Sequence, residues 1–134
     1  MIAVNLPGTI QAEDFDNGGQ GVAYNDAEST NYGGVYRTGD GVDIASCTDT
    51  GGTYEVGWVN ANEWLNYMVY VNTTRAYDLN LRVSGGGGNL HINIDGQNIT
   101  GSRTTPNTGS WTTYTTYTIP SITLSAGSHV LTLV

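Results

Sequence analysis

Apolar and polar residues alternate with a period of two along much of the chain, and no long stripe follows the 3.6-residue period of a helix. The clearest run covers residues 77–83, where Tyr77, Leu79, Leu81 and Val83 alternate with Asp78, Asn80 and Arg82. After the glycines at 85–88, Leu90, Ile92 and Ile94 alternate with Asn89, His91 and Asn93. Two such runs around a glycine-rich turn predict a hairpin, with Arg82 opposite His91 and Asn80 opposite Asn93. The same register sets Asp78 against Asp95, a like-charge pair that counts against it. Further strands are expected at residues 9–13, 54–59, 64–71, 111–118, 122–124 and 129–134.

Short strands at this spacing, separated by turn signals, predict an all-β jelly roll, a β-sandwich of two antiparallel sheets. The 134 residues fit a single domain spanning 1–134. Residues 18–52 are rich in Gly, Asp, Asn and Ser and read as long loops with one or two short strands. Loops of that length on a rigid scaffold usually carry function. The final run is still strand-like at Val134, so a sandwich closing there leaves an edge or takes a partner strand.

Charge narrows the partners. The formal net charge is −8, and all four basic residues are arginines, Arg37, Arg75, Arg82 and Arg103. Such a surface repels phosphate backbones and anionic lipid, so neither nucleic acid nor membrane is an expected partner. No apolar run approaches a membrane span, and residues 1–6 lack the basic and apolar regions of an export signal. The single cysteine, Cys47, excludes an intrachain disulfide.

Catalytic signals are weak. A glycosidase sets two carboxylates across a bond, but twelve acidic residues make some such pair inevitable. No nucleophile elbow lies near His91 or His129, and Cys47 sits in Ser46-Cys47-Thr48-Asp49 without a catalytic signature. The aromatics say more: three tryptophans and nine tyrosines accompany one phenylalanine. Flat apolar faces with polar edges suit a pyranose ring, which offers C–H groups on its faces and hydroxyls around its rim. Trp58, Trp64 and Trp111 are the natural platforms. Trp58 is in phase with Tyr54 and Val56, which favours core packing; Trp111 follows a turn-like segment, which favours exposure. Gln11 and Glu13, at i and i+2, offer oxygens that calcium accepts.

An ordered series of short motifs resembles the carbohydrate-binding modules of family 6. It runs through Ile10-Gln11-Ala12-Glu13-Asp14-Phe15, Gly21-Val22-Ala23-Tyr24-Asn25-Asp26, Gly33-Gly34-Val35-Tyr36-Arg37 and Val42-Asp43-Ile44. It continues through Val56-Gly57-Trp58, Asn62-Glu63-Trp64-Leu65, Leu90-His91-Ile92-Asn93-Ile94-Asp95-Gly96, Trp111-Thr112-Thr113-Tyr114 and Leu124-Ser125-Ala126-Gly127-Ser128-His129. The resemblance implies a secreted, non-catalytic jelly roll that binds a polysaccharide or oligosaccharide and targets an attached glycoside hydrolase. It implies a sugar site at Trp58 and Trp111, with Asn25 on the rim and Tyr36 among the binding residues. A second site on a sheet face maps to Trp64 and Asn93, beside Arg82 and His91. A structural calcium maps to Gln11 and Glu13. The family's pattern continues past Val134 with a last strand, which the resemblance implies is missing here. The ligand classes left open are β-1,3-glucan, xylan, cellulose and agarose. Two other readings stand beside this one: a small glycoside hydrolase or lyase using Glu63 or Asp43, and a calcium-stabilised adhesion sandwich.

Overall fold

The computed structural model describes residues 3–134, so the first two positions of the 1–6 segment lie outside it. Twelve strands follow in order: β1 (Val4–Leu6), β2 (Tyr24–Asn25), β3 (Ile44–Ser46), β4 (Tyr54–Val56), β5 (Trp64–Val71) and β6 (Arg75–Ser84). Then come β7 (Gly88–Leu90), β8 (Ile92–Ile94), β9 (Gln97–Asn98), β10 (Arg103–Thr105), β11 (Tyr114–Leu124) and β12 (Gly127–Leu133). No helix occurs among the described residues.

β5 organises one layer. Its pleat turns Leu65, Tyr67, Val69 and Val71 into the core and Trp64, Asn66, Met68 and Tyr70 outward. β12 pairs along it antiparallel, with Thr132 beside Asn66, and β8 and β9 extend the sheet beyond β12. β2 pairs antiparallel as well, setting Asn25 beside Trp64. β1 runs parallel to β5, so the expectation of purely antiparallel sheets is corrected at this edge. Three separate two-stranded ladders complete the fold: β6–β11, β3–β4 and β7–β10. The first two face the β5 sheet across the core, contributing Ile44 and Leu124 to the same cluster as Val69 and Ile92, with Tyr77, Leu79 and Ile122 packed against them. The sandwich is therefore sealed by residues from both layers.

The hairpin expected between residues 77–83 and 90–94 does not form. β6 pairs with β11, which puts Thr116 opposite Arg82 and Thr118 opposite Asn80. The glycine segment is drawn elsewhere: the Gly85 N–H donates to Ser110 O at 3.0 Å and to Thr108 Oγ1 at 2.9 Å. The 90–94 run splits at His91, whose backbone pairs with Val134 while β7 joins β10 and β8 joins β12. Asp78 is thereby freed from Asp95 and caps the Ser121 N–H at a β11 irregularity beside Pro120. Residues 9–13 are not a strand either, because Asp14 N donates back to Gln11 O and closes a turn.

The long loops are pinned by side chains. Asn31 satisfies its whole amide: Oδ1 accepts from Gly34 N and Ile44 N, and Nδ2 donates to Val35 O and Tyr36 O. Arg37 lies over the Phe15 ring at 3.6 Å, donates to Phe15 O and Asp16 O, and pairs with Asp40. One guanidinium thus ties the 15–17 segment to the 37–40 turn.

The start of β12 is tied to the β8–β9 turn. His129 Nδ1 lies 2.6 Å from Asp95 Oδ2, and Val130 N donates to Asp95 Oδ1 at 2.9 Å. The Asp95 carboxylate, then the Ser125 carbonyl, raises the His129 pKa; His129, then the Val130 N–H, lowers that of Asp95. A raised histidine stabilises fully below its unfolded value, near pH 6.5, and loses this as pH rises through the folded value. A lowered aspartate stabilises above about pH 4 and loses this as pH falls. The stability difference between wild type and His129→Gln should therefore peak between about pH 4 and 6.5. At this exposure it should not exceed about 1 kcal/mol. Urea denaturation across pH 4 to 9 measures it, and a difference that grows toward pH 9 would contradict the pairing.

Candidate functional site

β4 delivers Trp58. After Gly57 the chain turns left-handed, with Trp58 at φ 49, so its side chain leaves the strand's phase and stands 54% exposed. This settles the two readings of its position against the core. Such a conformation costs an L-residue about 1–3 kcal/mol, and its surroundings hold it. Gly57 N donates to Asp43 O, Asn60 Nδ2 to Trp58 O, and Asn25 Nδ2 to Asn62 O. The Glu63 carboxylate accepts from Asn60 N at 2.8 Å and from Ala27 N at 3.0 Å. Asn25 is thus a brace for this loop, its Oδ1 taken by Gln20 Nε2.

Trp111 enters β11 from a turn and is 71% exposed. One face of its indole lies against the bare backbone of Gly85: a Cβ there would fall 2.2 Å from the ring. One side-chain tie joins the two tryptophan segments. Tyr114 donates its hydroxyl to Glu55 Oε2 at 2.6 Å, and burial, then this bond, pushes the phenol pKa up to about 12. Trp58 follows Glu55 by three positions and Trp111 precedes Tyr114 by three. Tyr114 lies in the Trp111-Thr112-Thr113-Tyr114 motif, but no sequence signal paired it with Glu55.

On the outer face of the β5 layer, Trp64, Asn66, Asn93, Thr132 and Val134 line a shallow depression of about 270 Å³. Thr132 Oγ1 donates to Asn66 Oδ1 at 2.6 Å, whereas the buried Asn93 Oδ1 has no partner among the described residues. Trp64 and Asn93 therefore meet as expected, joined by Asn66 and Thr132, and His91 flanks them through its backbone bonds to Val134. Arg82 does not. It lies on β6, in the opposite layer, where it makes a bidentate pair with Asp49 at 2.6 and 2.8 Å. Its expected place beside His91 fell with the hairpin that required it.

Gln11 and Glu13 line a cavity of about 250 Å³ together with Asp14, Tyr36, Gly52 and Tyr54. Burial, reinforced by Asp14, raises the Glu13 pKa, and its own backbone N–H opposes the shift. Tyr36 stacks on Tyr54 with centroids 4.8 Å apart and donates its hydroxyl to Asp14. Gln11 uses its Nε2 on Gly51 O, which leaves its Oε1 to the cavity. Two neighbouring carboxylates and an amide oxygen fit a hard cation such as calcium.

The model of the carbohydrate binding module (family 6) matches residues 33–134. The chain belongs to that family. It is accordingly a non-catalytic carbohydrate-binding module, and the hydrolase reading of Glu63 and Asp43 falls away. Solved structures agree on the fold. A β-1,3-glucan binding family 6 module from Bacillus halodurans shares 25% identity over 99% of this chain and 86% of its own, with a TM-score of 0.71. The C-terminal module of LamC, a marine laminarinase from Zobellia galactanivorans, shares 24% over 92% and 84%, with a TM-score of 0.69. A module of Cellvibrio mixtus lichenase 5A in complex with cellotriose shares 33% over 69% and 75%, with a TM-score of 0.59. No curated protein matches the chain.

The seat of Trp111 in this module depends on the missing Cβ of Gly85, whose φ is also +90. Gly85→Ala should displace the indole and change the near-ultraviolet circular dichroism while leaving the far-ultraviolet spectrum intact. The backbone strain should lower stability by about 1–3 kcal/mol. An unchanged near-ultraviolet spectrum would show that the ring does not rest there.

Proposed function

We propose that the module grips a β-linked glucan, of the β-1,3 type first, through Trp58 and Trp111. The observation that carries this reading is the pair of largely exposed indoles on segments joined by the Glu55–Tyr114 bond. Large aromatic faces held open to water have no folding purpose, whereas C–H faces of a pyranose match them. The glucan class is supported by what two of the similar modules bind, β-1,3-glucan and cellotriose. The depression at Trp64 and Asn93 is a second place for a chain, favoured by the unpartnered Asn93 oxygen. The parent protein in this reading is a secreted glycoside hydrolase, which the module keeps on its substrate.

Binding should be modest, from micromolar to millimolar, or about −8 to −4 kcal/mol. Calorimetric titration with laminarin tests the site. Trp58→Ala and Trp111→Ala should each weaken binding at least tenfold, since an anchoring tryptophan contributes about 2 kcal/mol or more. Laminarin bound with wild-type affinity by both variants would exclude these platforms.

Calcium at Gln11 and Glu13 belongs to the same proposal. The buried Glu13 carboxylate, sharing a cavity with Asp14 and Gln11, supports a cation there. Calcium added to the EDTA-treated module should raise the melting temperature by several degrees, as expected for a ligand present at about 100 times its Kd. Glu13→Gln should bind one calcium fewer in calorimetry; an unchanged stoichiometry would remove the ion from this cavity.

A further inference from the structure

We propose that Tyr32 is a further binding residue of the rim site, a platform for a sugar further along the chain than the one held at Trp58. The proposal deepens the Trp58 reading above and rests on it. Tyr32 is 57% exposed, as open as Trp58. Among the described residues its ring stacks on no other aromatic and takes no part in the core cluster. The fold has no use for it.

Its place relative to Trp58 follows from β3 and the residue before it, Asp43. On one edge Asp43 O accepts from Gly57 N at 2.9 Å, one position before Trp58. On the other edge the 31–33 segment lies alongside. Asn31 Oδ1 accepts from Ile44 N at 2.9 Å, and a Cβ on Gly33 would fall 1.9 Å from Ile44 O. The backbone of Tyr32 is therefore about 10 Å from the Trp58 turn, two strand spacings across β3. One pyranose does not cover that span, but an oligosaccharide does.

The mount is stiff. Asp43 is 1% exposed; its Oδ1 accepts from Tyr32 N at 2.5 Å, and its Oδ2 has no partner among the described residues. Burying a carboxylate is costly, and the one hydrogen bond this side chain makes holds the backbone beneath an open ring. Asn31 closes the same turn, since its carbonyl accepts from Gly34 N at 3.1 Å while its amide is fully engaged. A ring on a backbone already held has little left to order when a ligand arrives. Its apolar face and polar edge match a pyranose as the indoles do.

Laminaribiose and laminarihexaose, with cellobiose and cellohexaose in parallel, are titrated by calorimetry into wild type, Tyr32→Ala, Tyr32→Phe and Trp58→Ala. Tyr32→Ala should weaken hexaose binding by about fivefold or more and leave the matching disaccharide unchanged. Tyr32→Phe should bind the hexaose as wild type does, because the ring supplies the contact. The melting temperature of Tyr32→Ala should match that of wild type, since Asp43 holds a backbone N–H that the variant keeps. Wild-type hexaose affinity in Tyr32→Ala overturns the proposal, as does an equal loss for both chain lengths. Trp58→Ala with wild-type affinity for both lengths refutes the Trp58 platform, whereas a hexaose-selective loss in Tyr32→Ala still keeps Tyr32 in contact with the chain. A wild type that binds neither series overturns both readings.

Discussion

The two-sided pleat of β5 is the constraint from which the rest follows. Leu65, Tyr67, Val69 and Val71 must face inward, because the core closes on them, and the period of two then forces Trp64 and Asn66 outward. A slip of one residue would bury Trp64 and Asn66 and expose the core set. Three neighbours prevent it: β1, β2 and β12 each fix the register of β5 independently. Stability and the sheet-face depression are therefore two consequences of one alternation.

The rim platforms arise in the opposite way, by escape from the pleat. Trp58 stands clear only because its backbone is left-handed, and that cost is met by a net of short polar contacts to Asp43, Asn25 and Glu63. Trp111 stands clear because a glycine beneath it leaves room for the ring. Both depend on residues that touch no ligand in the proposed reading, and Glu55–Tyr114 binds the two arms to one base.

What was legible in the chain was whatever is local. The 64–71 strand coincides with β5, and the outward stripe of Trp64, Asn66, Met68 and Tyr70 could be read from spacing alone. The partner of residues 77–83 could not, because the choice between a nearby run and β11 lies in the contacts that pull Gly85 toward Ser110. Nor could periodicity place Trp58, whose phase ends at Gly57; only the family likeness pointed to it. The acids at 26, 28 and 63 come together because loops fold over one another. Spacing carries no trace of that.

The arginines have a consequence for the kind of grip such a surface exerts. Each guanidinium is engaged within the fold, on carboxylates, carbonyls or aromatic rings. Only exposed Arg75, beside the Tyr77 ring, has no polar partner among the described residues, and the net charge of −8 pushes sulfated or uronic chains away. In the proposed reading adhesion comes from ring faces and neutral amides, which dissolved ions barely screen. Its strength should then stay level from dilute buffer to brine.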